Sequence, residues 1–453
     1  MSHKDPTALD RHQQQQYQLY PQRWLVLFSF AALSLDSAWM WITWAPMVDE
    51  VAHFWKVSKG QVDGLSAIYM SIYVVGSFPA IWLIVNVVGL ARGLWIGALL
   101  NFMGALTRYF GRSDYSWVYV GTLCCAFAQT FTLATPPLIS GNWFGAHERA
   151  TATSLGVLAN QFGTALGLGS TIVLDLIATQ GDGNPALNLK CLEFYLATQL
   201  LVAGTAAGLV FIFITSDGPP TPPSEAAASK GPARWGEQEL LLDAGDGAHE
   251  TLQKSDSLSY FESVQVPFKK TPIFVLLFGI AVGVFYAIPS FLSQLVPTWS
   301  PKSRGWLGVL YQLTGVLGSF ILGRVVDIYQ RHKQVSTLLL IGGAASLSGV
   351  LWALLKDGSS VRLFLATSGV GFCLAAFNTV GIELGTAMTY PADEAAVAGI
   401  FECFAELVGS VLVTMGGRLK TVDSSFILIQ LGALLASLFL MLCLQAEALR
   451  PMN

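Results

Sequence analysis

The run PIFVLLFGIAVGVFYAIPSFLSQLVP, from Pro272 to Pro297, is 26 residues long and carries no charged side chain. A helix crosses a bilayer core with about 20 consecutive apolar residues, so this stretch is long enough to span a membrane by itself. Comparable blocks recur along the chain and predict spans near 24–47, 63–87, 93–110, 116–140, 151–177, 193–215, 272–297, 304–326, 334–355, 362–388, 396–416 and 424–446. A soluble core would show shorter, amphipathic segments. The composition agrees: of 453 residues 53% are hydrophobic and 12% charged, with a mean hydropathy of +0.54, whereas soluble proteins carry roughly a quarter charged residues.

Blocks six and seven are separated by residues 216–271, which contain Gly218-Pro-Pro-Thr-Pro-Pro-Ser224, an Ala-Ser stretch and several acidic residues. That composition predicts a flexible linker. The chain therefore divides into an N-terminal cytoplasmic tail (1–23), a six-helix half (24–215), a cytoplasmic linker (216–271), a second six-helix half (272–446) and a short tail (447–453). Met1 to Arg23 is polar, with glutamines from Gln13 to Gln16 and no apolar signal-peptide core, so the first span is expected to act as the insertion signal. With both termini inside, 14 Lys and Arg fall on the cytoplasmic side against 11 outside, the direction of the positive-inside rule.

An all-α membrane protein of twelve transmembrane helices in two halves resembles the major facilitator superfamily, whose halves rock around a midplane site. A more specific mark follows the eighth span: Gly323-Arg-Val-Val-Asp327-Ile-Tyr-Gln-Arg331-His-Lys333 is similar to that superfamily's Gly-x3-Asp-x3-Arg loop. The resemblance makes Gly323, Arg324, Asp327 and Arg331 a conformational latch in which a carboxylate meets a helix end. The matching turn of the first half, Asn86-Val-Val-Gly89-Leu-Ala-Arg92, has Asn86 where acid is usual. A weaker latch is expected there.

Several functions are excluded. The net charge is −4 and no long basic tract could follow a phosphate backbone, so nucleic acid is not an expected partner. All six histidines, His3, His12, His53, His147, His249 and His332, fall outside the predicted spans. This leaves no intramembrane histidine relay, no histidine-ligated haem in a cavity and no Ser-His or HExxH hydrolase. Five cysteines lie in apolar blocks and Cys191 has no partner outside them, so neither a disulfide framework nor a zinc site follows. No cofactor is called for, and the chain is not expected to be an enzyme.

Ionisable groups inside spans cost about 2.5–3.5 kcal/mol on insertion scales and are functional candidates for that reason. They are Asp36, Asp175, Glu383, Glu402 and Glu406. Glu402 and Glu406, four residues apart, lie about 40° apart on one helical face. Two such carboxylates in low dielectric resist double ionisation, so one is expected to hold a proton or face a cation. The alternative is that Glu402 bonds a neighbouring helix and one acid alone faces the cavity. Asp36 is about 140° around its helix from Trp41, and either lines the cavity or pairs with another helix.

The second group is aromatic: Trp39, Trp41 and Trp44 in the first span, Phe285 and Tyr286 in the seventh. Aromatic faces bind cations, quaternary ammonium above all. Trp44 is expected to anchor the outer interface, and Trp41 and Tyr286 to face the site. Gln129, Asn160, Gln161, Gln294 and Asn378 are either site groups or interhelical bonds. Gly163 and Gly167 form a small-xxx-small pattern read as close helix packing.

Taken in order, Trp41-Ile-Thr-Trp-Ala-Pro46, Asn142-Trp-Phe-Gly-Ala-His-Glu-Arg-Ala-Thr-Ala152, Asn160-Gln-Phe-Gly-Thr-Ala165, Gly283-Val-Phe-Tyr286 with Gln294, and Glu383 followed by Tyr390-Pro-Ala-Asp-Glu394 resemble the feline leukaemia virus subgroup C receptor-related family, solute carrier family 49. The resemblance implies transport of choline and ethanolamine, with haem export claimed for some members. It also implies that a tryptophan and a tyrosine cage the ammonium and that two glutamines line the site, which here fall on Trp41, Tyr286, Gln161 and Glu406. The acid at Glu406 departs from the family amide, and would strengthen cation binding or admit proton coupling. Glu402, Glu406 and Asp36 are the candidates for such coupling.

The expected function is secondary transport of a small organic cation. The alternatives are transport of haem or another metabolite, and a non-transporting receptor or sensor. The expected partners are a small-molecule substrate and the lipid bilayer, with the chain a monomer. Glu237-Gln-Glu-Leu-Leu241-Leu242 fits an acidic dileucine spacing, so a vacuolar or endolysosomal membrane stands beside the plasma membrane as the expected location.

Overall fold

The computed structural model describes residues 17–145, 147–172, 189–223, 260–329, 331–356, 360–390, 392, 394–418 and 424–444. The middle of the expected linker with its dileucine run, most of the N-terminal tail, the C-terminal tail and Asp175 lie outside the described residues. The helices of the first half are α1 Gln22–Ile42, α2 Val48–Trp55, α3 Lys59–Leu83, α4 Leu90–Phe110, α5 Tyr115–Thr132, α6 Pro136–Trp143, α7 Arg149–Leu168 and α8 Leu189–Phe213. A short helix α9, Tyr260–Lys270, leads into α10 Pro272–Leu295, α11 Pro301–Tyr329, α12 His332–Leu355, α13 Ser360–Thr389, α14 Glu394–Arg418 and α15 Ser424–Cys443. Ten of these segments are long and apolar enough to cross a membrane, and α5 with α6 forms an eleventh, bent by 41°. Polar residues Asn160 and Gln161 lower the apolarity of α7, which packs between α1 and α11 as a further long helix of the bundle.

Local signals set the boundaries. Ser58 and Gln61 form a reciprocal capping box at the start of α3, with bonds of 3.2 and 2.9 Å. Thr135-Pro136-Pro137 makes the bend before α6, where proline is tolerated in a first helical turn. The last part of the expected linker is ordered: α9 packs on α13 and α14, and its Phe268 ring lies 5.6 Å from Phe404.

The two halves repeat one packing pattern. In the first, α1 packs on α7 and α8, α5 on α3 and α4, and α4 on α8. In the second, α10 packs on α14 and α15, α13 on α11 and α12, and α12 on α15. Across the interface α3 meets α14 and α7 meets α11, again as equivalent pairs. The inner helices are the buried ones: 78% of the apolar window of α10 is buried, against 28% for α11. Phe110, Leu201, Phe320, Leu365 and Phe439 form part of an exposed apolar coat suited to lipid.

At the end that the Lys and Arg distribution places outside, the halves are tied by charge and by close backbone approach. Arg304 bonds Glu50 and lies 3.8 Å from Asp49, Gln294 donates to Asp63 at 2.8 Å, and Ser293 donates to the Ala45 carbonyl at 2.6 Å. Gly60 lies against the Gly417 carbonyl where a Cβ would collide. Further along the interface α3 and α14 are joined by the Ser71 and Ser410 hydroxyls at 2.7 Å and by Cys403 Sγ with the Val74 carbonyl at 3.7 Å. The halves are thus tied by charge and by close backbone approach at the Arg304 end.

Trp44 departs from its expected role. It is fully buried, edge-on to Trp55 at 5.0 Å and beneath the Arg108 guanidinium at 5.2 Å. The reason is that α1 stops at Ile42 and the chain folds through a 3-10 turn, Ala45–Met47, into α2, which covers the ring. Trp44 is a core residue and not an interface anchor.

Candidate substrate-binding site

Proline at position 289 has no amide hydrogen, so the carbonyl of Phe285 one turn earlier loses its helical bond. Tyr311 of α11 supplies the replacement: its hydroxyl donates to that carbonyl at 2.8 Å, and its ring stacks on Phe285 at 5.6 Å and 25°. The next residue, Tyr286, donates its hydroxyl to Glu402 Oε2 at 2.9 Å and accepts from Asn378 Nδ2 at 3.2 Å. Its ring stands edge-on to Trp41, with centroids 6.2 Å apart at 85°. Trp41, at the end of α1, donates its indole N–H to the Ser66 carbonyl at 3.3 Å, and the Ser66 hydroxyl returns a bond to the Trp41 carbonyl at 3.4 Å.

Gln161 of α7 and Gln312 of α11 join across the halves, the Gln312 amide donating to the Gln161 oxygen. These residues, with Trp41, Asn160, Thr164, Phe285, Tyr286 and Pro289, line a pocket between the halves. Three of the four expected binding residues, Trp41, Gln161 and Tyr286, come together on its wall. Glu406 does not line it.

The two acids of α14 have different surroundings. Glu402 is engaged by Tyr286 within its own half. Glu406, one turn further on and buried, reaches the other half instead, where Gln129 of α5 lies at 3.5 Å from Oε1. Its second oxygen has no hydrogen-bond partner among the described residues. Nor does any described lysine or arginine form an ion pair with either acid. Asp36 lies elsewhere: it faces α4, accepts from Asn101 Nδ2 at 2.7 Å, and has Arg108 as its electrostatic partner. Of the two positions open to it, it takes the interhelical one.

Gly323 and Arg324 lie in the last turns of α11, Arg331 precedes α12 and bonds Gln334 at 3.2 Å, and the Asp327 side chain lies outside the described residues. In the first half Asn86 turns back to its own helix, bonding the Trp82 carbonyl at 3.0 Å. A carboxylate nevertheless caps α4: Asp217 Oδ1 accepts the Ala91 amide at 2.8 Å, beside Gly89 at φ +84°, where a Cβ would strike that carboxylate. Gln294 bonds Asp63 across the halves, and Glu383 lies 3.9 Å from His332. Gly163 and Gly167 let α7 close on the α1 backbone at Leu35 and Trp39, as their spacing predicts.

Sequence reasoning passed over Gln312, Arg108 and Asn101. Gln312 is a polar residue inside a predicted span, the same signal that singled out Gln129. Arg108 falls inside the predicted third span near its end, where a basic side chain reads as reaching for the interface. It is instead only 1% exposed.

Residues 25–414 match the Major Facilitator Superfamily. The chain belongs to that superfamily. It is 28% identical to the choline/ethanolamine transporter flvcr2a of Danio rerio over 417 residues, covering 88% of this chain and 81% of the relative. It is also 28% identical to solute carrier family 49 member A3 of Xenopus tropicalis over 423 residues, covering 89% and 79%. These relatives are of the kind that the motifs resemble, a choline/ethanolamine transporter and a member of solute carrier family 49. Among solved structures, the xylose transporter XylE from E. coli, in a partially occluded inward-open conformation, superposes with a TM-score of 0.69 at 13% identity, covering 96% of this chain and 100% of that one. This multi-pass integral membrane protein therefore has the fold of a secondary transporter.

Proposed function

We propose that the protein moves a small organic cation of the choline or ethanolamine type across its membrane by alternating access, and that Trp41 and Tyr286 hold the ammonium group. The observation that carries this reading is the pair of carboxylates, half-buried Glu402 and buried Glu406, behind an aromatic wall with no basic side chain among the described residues paired to them. A negative site without a fixed counter-ion gains most from a mobile cation. The Trp41 and Tyr286 rings supply faces that attract the same charge. Gln161 and Gln312 contribute amide groups at the interface of the halves, where a ligand would separate or replace their mutual bond.

Glu406 has a second part in the proposal. Its contact with Gln129 joins α14 to α5 across the interface, so rocking of the halves changes the surroundings of this carboxylate. It can therefore exchange a proton or the substrate's charge between states. The names of the relatives support the substrate class. Uptake of labelled choline and ethanolamine into cells with and without the protein tests the proposal. Uptake above background that is lost in Trp41→Ala supports it, and no difference despite expression at the assayed membrane would overturn the substrate class.

A further inference from the structure

The buried polar group formed by α1 and α4 has no part in the pocket, yet it carries the most expensive side chain in the first half. Arg108 is almost wholly buried inside a membrane span, a position that requires compensation. Its two terminal nitrogens converge on a single atom: Nη1 and Nη2 both donate to the Met40 carbonyl, each at 3.1 Å. Two turns away on the same face of α4, Asn101 grips Asp36, which lies one turn before Met40 on α1. The face of Trp44 covers the guanidinium.

Met40 occupies a particular place in its helix. The C-cap of α1 is Thr43, so Met40 is among the last four carbonyls, which have no intrahelical partner. A bilayer offers no water to satisfy them, and a cation at a helix C-terminus is favourable. The Met40 carbonyl and the Trp41 amide belong to one rigid peptide plane. Fixing that carbonyl fixes the plane from which the Trp41 side chain departs. Ser66 of α3 holds the same residue from the other side.

We propose that Arg108 is a positioning residue, which sets the Trp41 wall of the site by holding the Met40 carbonyl at the end of α1. The inference rests on the reading of Trp41 as a substrate contact, but its structural half does not. A bland alternative is that Arg108 merely neutralises Asp36. Removing both charges together separates the two, since Asp36→Asn/Arg108→Met leaves no unpaired charge but no donor for Met40.

The experiment is hydrogen-exchange mass spectrometry on the full chain in lipid nanodiscs without ligand, followed over residues 40–47. The double variant is expected to exchange about tenfold faster there, as local opening becomes easier, while Asp36→Asn alone stays within about twofold of the starting protein. A double variant that exchanges like the starting protein, or Asp36→Asn that loosens the segment as much, would overturn the proposal. Should the double variant not fold, Arg108→Lys, which keeps the charge but loses the fork, is compared with Asp36→Asn. Faster exchange in the lysine variant supports positioning, and faster exchange in Asp36→Asn refutes it. A second arm measures choline binding: the double variant is expected to bind about tenfold more weakly, with little further loss when Trp41→Ala is added. Full additivity with Trp41→Ala would refute action through that residue. If the starting protein does not bind choline, the substrate reading fails while the exchange arm still decides the role of Arg108.

Discussion

Asp36 and Glu406 are both carboxylates at or near zero exposure in membrane helices, but the protein treats them differently. Asp36 sits in the first half with Asn101 bonded to it and the Arg108 charge nearby, all within one half and away from the pocket. Glu406 sits at the interface of the halves with Glu402 one turn away, a distant amide from Gln129, and no basic partner among the described residues. A buried acid whose counter-charge is built into the same rigid half serves structure. One left without such a charge, where two moving bodies meet, leaves a place for a mobile cation or a proton.

The largest effect should come from removing the fixed counter-charge. Arg108→Met removes the positive charge near buried Asp36 together with two bonds to the Met40 carbonyl, and is expected to cost about 3 kcal/mol of stability, seen as a fall in melting temperature of the purified protein. Adding Asp36→Asn should return much of that loss, and no recovery would remove the distinction between the two acids. Next in size, Trp41→Ala deletes an aromatic face at the uncompensated site. A desolvated cation–π contact is worth about 2 kcal/mol, so choline affinity should fall roughly thirtyfold with the melting temperature little changed.

Glu406→Gln sharpens the comparison through pH. Protonation of a carboxyl removes the negative charge that favours an organic cation, so uptake should fall as the medium is acidified. The glutamine variant should transport with a flatter pH profile, whereas Asp36→Asn should retain the original slope. The smallest expected effect is at Ser66→Ala, which loses only the hydroxyl bond to the Trp41 carbonyl and keeps the backbone acceptor for the indole. A change of about 1 kcal/mol or less in binding, by the same titration, would agree.

Much of the fold was legible because a bilayer makes a strict demand: every span must be long, apolar and helical. The predicted seventh span, 272–297, and the observed helix Pro272–Leu295 nearly coincide. The first span was legible at its start and not at its end, because Trp41-Ile-Thr-Trp-Ala-Pro46 continues the apolar run while the backbone leaves the α-helix at Thr43. Hydropathy registers side chains, and the break is a matter of backbone hydrogen bonds supplied from Arg108, Ser66 and Ser293. The turn before α4 shows the same limit. Asn86 marked a missing acid, but the carboxylate came from Asp217, 126 residues after the amide it caps.

By itself, then, the sequence determined the solvent, the number and order of the spans, the two halves, and the meeting of Trp41 with Tyr286 that the family resemblance implied. Helical periodicity also put Glu402 and Glu406 on one face, since neighbours along a helix are set by local geometry. Which acid touches the tyrosine, which crosses to Gln129, and which lies near an arginine were decided by the tertiary structure alone. Each depends on helices far apart in the chain, and the charge of a residue does not reveal which distant partner will face it.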